Sequence, residues 1–190
     1  MRVIAGSAGG RHLKGPPRQR GAGSAPSIRP SSDLMRGALF SALDAMGAHY
    51  TRTLDLYAGT GALGIEALSR GGEWCDFVER DRAMAEVIRE NVEGTGFGDR
   101  AKMHTMAASS AIRLAGPYTL VIADPPYADS GAWAVLEEIA GSRLATPDTV
   151  IAVEHSSREE PPGRLAGFHL KKIIRHGDSA VSLYMAKGRS

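Results

Sequence analysis

The chain has 190 residues, 43% of them hydrophobic, and a formal net charge of +2. This length suits one domain with a sizeable core, and the absence of any run of 18 apolar residues predicts no membrane span. The N-terminal residues lack the apolar stretch of a secretory signal. Cys75 is the only cysteine, which excludes internal disulfides and multi-cysteine metal sites and favours a reducing cytoplasm.

Charge is distributed unevenly along the sequence. Residues 1–36 contain seven Lys or Arg against one Asp, and residues 164–190 contain six against one. These ends therefore carry +6 and +5, which leaves −9 for the residues between them. Opposed charge of this kind predicts a basic face for a polyanion such as nucleic acid.

The first predicted elements belong to a small N-terminal extension. Residues 1–30 are rich in Gly and Pro and predict a β-hairpin followed by a mobile loop. Ser31 or Ser32 is expected to cap the first helix, which Gly47 ends. We therefore predict a basic extension over residues 1–30 and a second domain over residues 31–190.

Strand and helix patterns alternate through the rest of the chain. Strands are predicted over residues 53–58, 74–79, 101–106, 118–123 and 149–154, and helices over residues 61–70, 82–93, 109–114 and 132–140. This alternation is typical of a parallel sheet with helices on both faces. Two further strand-like runs, residues 168–175 and 180–187, flank a short turn and predict an antiparallel hairpin at the sheet edge. The prediction is an α/β fold with a mostly parallel, seven-stranded sheet.

A glycine-rich loop follows the first predicted strand. Gly59 to Gly64 has the pattern G-x-G-x-x-G, and Glu79 lies 20 residues beyond Gly59. This spacing matches the dinucleotide fingerprint, in which the acidic residue binds ribose hydroxyls. Asp55 narrows the choice of cofactor, because a carboxylate there would repel a diphosphate but suits an ammonium and a sulfonium. S-adenosylmethionine (SAM) carries both groups and no phosphate.

A second motif, Asp124-Pro125-Pro126-Tyr127, directly follows the apolar strand 118–123. The two prolines fix the backbone and remove two N–H donors. A carboxylate, donor-free peptide units and an aromatic ring are thereby held at the carboxyl end of a strand, where open α/β sheets bind ligands. The motif offers acceptors for an amino group and a ring that can stack on a flat base.

Together these motifs resemble those of class I SAM-dependent methyltransferases that act on exocyclic amino groups. Further segments are similar to the RsmD-type 16S rRNA (guanine-N2-)-methyltransferases: Met1–Gly6 with Gly10-Arg11, Ile28–Asp33 with Arg36 and Leu39-Phe40, and Glu66–Gly71. The resemblance covers nearly the whole chain. It implies a Rossmann-like class I methyltransferase fold, a monomer, and a guanine of the small ribosomal subunit, assembled or nearly so, as the target.

The resemblance also implies roles for individual residues. Asp124, Pro125, Pro126 and Tyr127 form the predicted catalytic set. Hydrogen bonds from guanine N2–H to the Asp124 carboxylate and the Pro125 carbonyl would orient the nitrogen lone pair and stabilise its developing charge. Tyr127 would stack on the base, which must be unstacked to reach the pocket.

A larger set of residues is implied for SAM. Asp55 and the glycine loop would hold its methionine end, Glu79 its ribose and Arg80 its adenine face. The predicted SAM-binding residues are Arg29, Pro30, Ser31, Ser32, Asp55, Tyr57, Ala58, Gly59, Thr60, Gly61, Glu79, Arg80, Ala107, Ala108 and Asp124. Ala107 and Ala108 stand where the family usually has Asp or Asn, so their contacts would be through the backbone. The predicted RNA contacts are Arg11, Lys14, Arg18, Arg20 and Arg29.

Three alternatives remain open at this stage. An adenine-N6 methyltransferase acting on DNA or RNA would use the same four-residue motif. An NAD-dependent oxidoreductase would use the glycine loop but would leave Asp55 and the Asp-Pro-Pro-Tyr motif unexplained. A pure RNA-binding module would need no methyl donor. The six histidines show no ligand-like pairing, so we predict no metal site.

Overall fold

The computed structural model describes residues 1–16 and 30–188, without the side chains of residues 30–32. The helices are α1 (Pro30–Ala45), α2 (Ala62–Ser69), α3 (Arg82–Thr95) and α4 (Ala132–Ala140), with 3-10 helices at Gly98–Arg100 and Ala108–Arg113. The strands are β1 (Arg52–Leu56), β2 (Trp74–Glu79), β3 (Ala101–Thr105), β4 (Tyr118–Ala123), β5 (Ala145–Ser156), β6 (Arg164–Leu165), β7 (Phe168–His176) and β8 (Ser179–Ala186). No helix within the described ranges is long and apolar enough to cross a membrane.

The eight strands of the described residues form one sheet, in the order β3-β2-β1-β4-β5-β8-β7-β6. Strands β1 to β5 are parallel, whereas β8 runs antiparallel to both β5 and β7. The seven predicted strands and the C-terminal hairpin are confirmed. The eighth strand, β6, has two residues and pairs only with β7, so it is too short for a periodic sequence pattern to reveal.

The register of the central strands brings four strand ends to one edge of the sheet. Leu56 of β1 pairs with Val78 of β2 and with Ala123 of β4, which in turn pairs with Val153 of β5. The residues that follow these positions therefore emerge side by side. Strand order reverses between β1 and β4, and open α/β sheets bind ligands at this kind of switch point.

Helices cover both faces of the sheet, as predicted. Helix α1 contributes Leu39, Phe40 and Leu43 to a buried cluster on one face, and α2 and α3 pack against β2 and β3. Helix α4 contributes Leu136 and Ile139 to a larger cluster on the other face, together with the second 3-10 helix. Apolar burial on both faces fixes the sheet and therefore the edge that carries the strand ends.

The N-terminal residues form a short hairpin that packs onto α2 and α3. Its pairing is limited to one antiparallel bridge between Arg2 and His12. Val3, Ala8 and Leu13 are buried against the helices. The hairpin prediction is thus confirmed in a minimal form, while the predicted loop lies mostly in residues 17–29, outside the described residues. The division of the chain at residue 30 stays a prediction.

The start of α1 differs from the prediction. The helix begins at Pro30, so residues 31 and 32 lie inside its first turn, and the expectation that Ser31 or Ser32 caps the helix was wrong. Proline suits a first helical position, because its fixed φ is helical and its missing N–H would have had no intrahelical partner.

Candidate functional site

The strand ends open onto a cavity of about 870 Å³. Tyr57 and Asp124, which follow β1 and β4, and Glu79 and Glu154, which lie at or near the ends of β2 and β5, all line it. The remaining walls come from the segments Met106–Ser109 and Asp124–Tyr127, from the turn His176–Ser179, and from Met35, Gly59, Val78, Arg80, Asp129, Gly131 and Val135. The cavity therefore combines carboxylates with apolar walls at the switch point of the sheet.

The glycine loop turns sharply between β1 and α2. Tyr57, Gly59 and Gly61 all have positive φ, at 56°, 55° and 76°, a conformation that glycine adopts without strain and that a tyrosine rarely adopts. Asp55 is buried beneath the loop, and its Oδ2 accepts a hydrogen bond of 2.8 Å from the backbone N–H of Gly64. Asp55 thus fixes the loop to the first turn of α2.

Asp55 has a second carboxylate oxygen, Oδ1, that is buried and has no hydrogen-bond partner among the described residues. Burial, and to a smaller degree the charges of Asp124 and Glu79, raise the pKa of Asp55 well above its usual value. Asp55 does not line the cavity. An unpartnered carboxylate oxygen is costly to bury and is satisfied by a donor from water or a ligand.

Glu79 is held at the end of β2 by two backbone donors. Its Oε2 accepts a hydrogen bond of 3.0 Å from Gly59 N–H, and its Oε1 accepts one of 2.8 Å from Asp81 N–H. The side chain is partly exposed in the cavity. Because each carboxylate oxygen can accept more than one hydrogen bond, Glu79 keeps acceptor capacity for hydroxyl groups. Arg80 is exposed beside it and also lines the cavity.

Two carboxyl groups meet at the ends of β4 and β5. Asp124 is exposed to the solvent of the cavity, yet protein surrounds it and removes much of its bulk water. This desolvation, with the neighbouring charge of Glu154, raises the pKa of Asp124 to about 7. Desolvation also raises the pKa of Glu154, partly offset by a hydrogen bond with Ser179. Loss of solvent thus disfavours the ionised form of both carboxyl groups.

A hydrogen-bonded chain holds the aromatic ring of the proline motif. The Tyr127 hydroxyl lies 2.6 Å from the Ser179 Oγ, and Ser179 is also hydrogen-bonded to Glu154. The hydrogen bond with Ser179 lowers the pKa of Glu154, so the Ser179 hydroxyl donates to this carboxyl group, and its oxygen is left to accept from the Tyr127 hydroxyl. The Tyr127 side chain is 58% exposed and forms a wall of the cavity with its orientation fixed.

The chain is similar to known proteins over nearly its whole length. The family described as "Conserved hypothetical protein 95" matches residues 1–185. The chain belongs to this family. It is 31% identical over 194 residues to "Putative rRNA methyltransferase YlbH" of Bacillus subtilis, covering 99% of this chain and 100% of that protein.

Two further similarities come from Escherichia coli. The chain is 28% identical to "Ribosomal RNA small subunit methyltransferase D" of strain K12, over 100% of this chain and 93% of that protein. It superposes on the solved structure of "Putative methyltransferase yhhF" with a TM-score of 0.81, at 28% identity and with 98% and 97% of the two chains covered. The resemblance to the RsmD-type family is thereby confirmed, and the chain is an enzyme, a methyltransferase.

Most of the residues predicted for this methyltransferase family come together. Tyr57, Gly59, Glu79, Arg80, Ala107, Ala108 and Asp124–Tyr127 line the large cavity. Ala58 and Thr60 line an adjoining cavity of about 260 Å³. The two cavities are connected, because they share the lining residues Met35, Tyr57, Gly59, Asp124 and Glu154. Asp55 and Gly61 are buried and line neither cavity, Asp55 beneath the glycine loop and Gly61 within it.

The predicted RNA contacts are only partly described. Arg18, Arg20 and Arg29 lie outside the described residues, and Pro30, Ser31 and Ser32 are seen only as helical backbone. Arg11 donates a hydrogen bond of 3.1 Å to the carbonyl of Gly94. Lys14 pairs with Glu90 at 3.1 Å on an exposed surface. Their roles in RNA binding stay predictions.

The site also contains four residues that were not predicted from the sequence: Glu154, Ser179, Asp129 and Met35. Glu154 follows a buried apolar run, as Asp124 does, and this is the signal that could have identified it. Its proximity to Asp124 depends on the pairing of β4 with β5, which a sequence does not display. Burial of the phenol raises the pKa of Tyr57 to about 12, and the charge of Asp129 and its hydrogen bond with Tyr57 contribute to this shift.

Proposed function

We propose that this protein transfers a methyl group from SAM to the exocyclic N2 of a guanine in 16S rRNA of the small ribosomal subunit, as a cytoplasmic monomer. The family and the relatives named as rRNA methyltransferases support the reaction class and the RNA. The observation that carries the proposal is the position of Asp124 and Pro125 on the wall of a cavity that also contains Glu79 and the glycine loop.

The residues of the two connected cavities fit SAM. Glu79 has the acceptor capacity for ribose hydroxyls, and Val78, Met106 and Ala108 offer apolar surface suited to an adenine ring. The smaller cavity, bounded by Ala58 and Thr60, would hold the methionine end near the carboxylates at the strand ends. The unpartnered Oδ1 of Asp55 lies buried below this loop, where an ammonium could reach it through water. When bound, SAM supplies an electrophilic methyl group on a sulfonium.

The chain's own contribution to the chemistry is the pair of acceptors at Asp124 and Pro125. The N2 amino group of guanine is a weak nucleophile, because its lone pair is delocalised into the ring. Hydrogen bonds from the amino group to the Asp124 carboxylate and the Pro125 carbonyl favour the pyramidal nitrogen and stabilise the positive charge that it gains. Ionised Asp124 has both oxygens free to accept and carries the negative charge that stabilises this nitrogen, which then loses a proton to the carboxylate or to water.

Positioning accounts for the rest of the proposed role of the site. Tyr127, held by Ser179 and Glu154, would stack on the guanine and fix the plane of its ring. A fixed base plane and a fixed methyl donor convert a two-molecule encounter into an aligned reaction, which lowers the entropic part of the barrier.

Substitution of Asp124 by Asn tests the proposal. The variant keeps the size of the side chain but loses its charge, so we expect the rate of methyl transfer to fall by about 100-fold or more, with SAM affinity largely retained. Rates are measured on small subunits that lack the modification, SAM binding by calorimetry, and the product by mass spectrometry of nucleosides. Asp99→Asn, at an exposed position in the 3-10 helix Gly98–Arg100, is the matched control.

Three outcomes of that experiment would contradict the proposal. Full activity of Asp124→Asn would remove the carboxylate from the mechanism. Binding of NADH without binding of SAM would indicate an oxidoreductase. N6-methyladenosine in place of N2-methylguanosine would indicate the adenine-specific reaction that shares the Asp-Pro-Pro-Tyr motif.

A further inference from the structure

The two connected cavities lie on one side of the Asp-Pro-Pro-Tyr motif, and a second, separate cavity of about 470 Å³ lies on the other side. Pro125, Pro126, Tyr127 and Asp129 line both this cavity and the large one. The motif is therefore a wall shared by two cavities, with the exposed ring of Tyr127 on it. Groups bound in the two cavities would be separated only by that wall.

An aromatic ring of fixed orientation lines the second cavity. Trp133 of α4 is partly buried, and its indole N–H donates a hydrogen bond of 2.6 Å to Glu159. The ring also packs edge-to-face against His155 and Tyr184, with centroid distances of 5.6 Å and 6.4 Å. Partly exposed aromatic rings that are held in this way are the surfaces on which unpaired bases stack.

Arg158 supplies positive charge at the cavity. Its side chain is 87% exposed, and its ion pair with Asp178, at 3.6 Å, is equally exposed. Exposed pairs of this kind contribute little to stability, so a phosphate can compete for the guanidinium, which prefers planar, bidentate oxyanions.

Arg175 lies on the same face of the sheet as the cavity residue His155. His155 of β5 and Arg175 of β7 both pair with Ala180 of β8, and residues in register on neighbouring strands share a face. Burial, together with the charge of Arg175, lowers the pKa of His155, which is consistent with this proximity. Arg175 is therefore a second exposed arginine on this face of the sheet, outside the lining of the cavity.

We propose that the second cavity binds the nucleotide adjoining the target guanine in the RNA strand, its base against Trp133 and its phosphate between Arg158 and Arg175. This inference rests on the proposed function. A target base enters the large cavity only after leaving its stack, which deprives its neighbour of a stacking partner. The covalently linked neighbour must lie close to the target base, and the second cavity is separated from the first by one wall. Its volume is in the range of ligand pockets.

Four variants test the proposal: Trp133→Leu, Trp133→Phe, Arg158→Gln and, as a charge-matched control, Arg143→Gln. Arg143 is exposed just before β5, at the opposite end of that strand. We expect Trp133→Leu to raise KM for unmodified small subunits on the order of tenfold and Trp133→Phe to restore it. Arg158→Gln should raise KM and lower the slope of log affinity against log salt by about one. SAM affinity should be unchanged in all four.

The result that would overturn the proposal is an unchanged KM and salt dependence in both Trp133→Leu and Arg158→Gln, while the wild type methylates its substrate. Equal losses of SAM affinity and RNA affinity in Trp133→Leu, without an effect of Arg158→Gln, would also overturn it, because Trp133 would then be a packing residue only. Failure of the wild-type protein to methylate would instead contradict the proposed function itself. Arg158 is exposed, so its variant keeps the test valid if Trp133→Leu does not fold.

Discussion

Asp124 and Glu154 form the most strongly perturbed pair of the site. Their strands are parallel neighbours, and the residues before them, Ala123 and Val153, are directly paired. The surrounding protein disfavours ionisation of both carboxyl groups by removing water, and the charge of Glu154 adds to this effect at Asp124. The free-energy cost of a desolvated carboxylate has a functional use. A carboxylate that is poorly solvated by water is stabilised more strongly by hydrogen bonds from a substrate amino group.

The pH dependence of methyl transfer follows from this pair. The negative charge of ionised Asp124 stabilises the nitrogen as it becomes positive, and the pKa of Asp124 is raised to about 7, so we expect kcat/KM to rise with pH up to about that value. Glu154→Gln removes a negative charge and should move the acidic limb of the profile to lower pH. Because burial is the larger cause of the shift, the limb should stay above the usual range of an aspartate. Glu138→Gln, exposed on α4, is the control, and an unmoved limb would contradict the assignment.

The same pair makes the free energy of unfolding depend on pH. The direction of this dependence is opposite to that produced by a salt-bridged carboxylate, whose pKa is lowered on folding. The folded state binds the proton of Asp124 more tightly than the unfolded state does, since its pKa rises from 3.8 to about 7. Between these two pH values the folded state therefore holds more protons, and the free energy of unfolding falls as pH rises. Glu154→Gln should weaken this decline, which urea unfolding at several pH values can measure.

At the scale of elements, Glu66 of α2 joins the N-terminal segment to the rest of the protein. It is fully buried and accepts hydrogen bonds from the backbone N–H groups of Ile4 (2.7 Å) and Ala5 (3.0 Å). Arg70 donates to it at 2.9 Å, and Arg36 of α1 lies at 3.7 Å. One carboxylate thus anchors the N-terminal segment, α1 and α2 in their relative positions.

Replacing this carboxylate should loosen that arrangement. In Glu66→Gln the buried Arg36 keeps Asp33 at 3.0 Å but loses the second of its two charged partners, and Arg70 loses a charged acceptor. We therefore expect the free energy of unfolding to fall by about 2 kcal/mol. Hydrogen exchange at the amides of Ile4 and Ala5 should accelerate more than exchange in β4. Glu73→Gln, exposed before β2, is the control. Unchanged exchange at Ile4 and Ala5 would show that other contacts hold the segment, such as the buried Val3 and the hydrogen bonds of Ser7 and Ala8 to Ser69.

Helices and strands were predictable from the sequence where the apolar pattern is long. They were less predictable where tertiary contacts determine whether an element forms or where it begins. All seven predicted strands form. The buried parallel strands were marked by apolar runs, and the antiparallel pair β7 and β8 was marked by the turn between two strand-like runs. The two-residue β6 has no such run. The start of α1 was misplaced by its serines, since Pro30 already adopts the helical conformation. In the site, Asp124 and Glu79 were identified from local motifs, whereas Glu154 and Ser179 required the strand order β4-β5-β8.

At the scale of the whole molecule, positive charge lies at the two ends of the chain and the acidic excess lies between them. The C-terminal hairpin places Lys171, Lys172 and Arg175 in exposed positions of β7, and the turn that follows β7 lines the large cavity. The N-terminal segment presents Lys14 near α3. A cavity containing several carboxylates is thus accompanied by basic surface on separate elements, which favours attraction of RNA phosphates around the site rather than within it.

The predicted N-terminal contacts can be measured through their salt dependence. The ion pair of Lys14 with Glu90 is exposed, with 65% and 44% of the two side chains accessible, so it holds the lysine weakly and leaves it available to a phosphate. We expect Lys14→Gln to weaken binding of the small subunit uniformly and to lower the slope of log affinity against log salt by about one. SAM affinity should not change, because Lys14 lines neither of the cavities assigned to SAM. Lys102→Gln, exposed on the edge strand β3, is the matched control, and an equal change of slope in both variants would indicate general charge rather than a contact at Lys14.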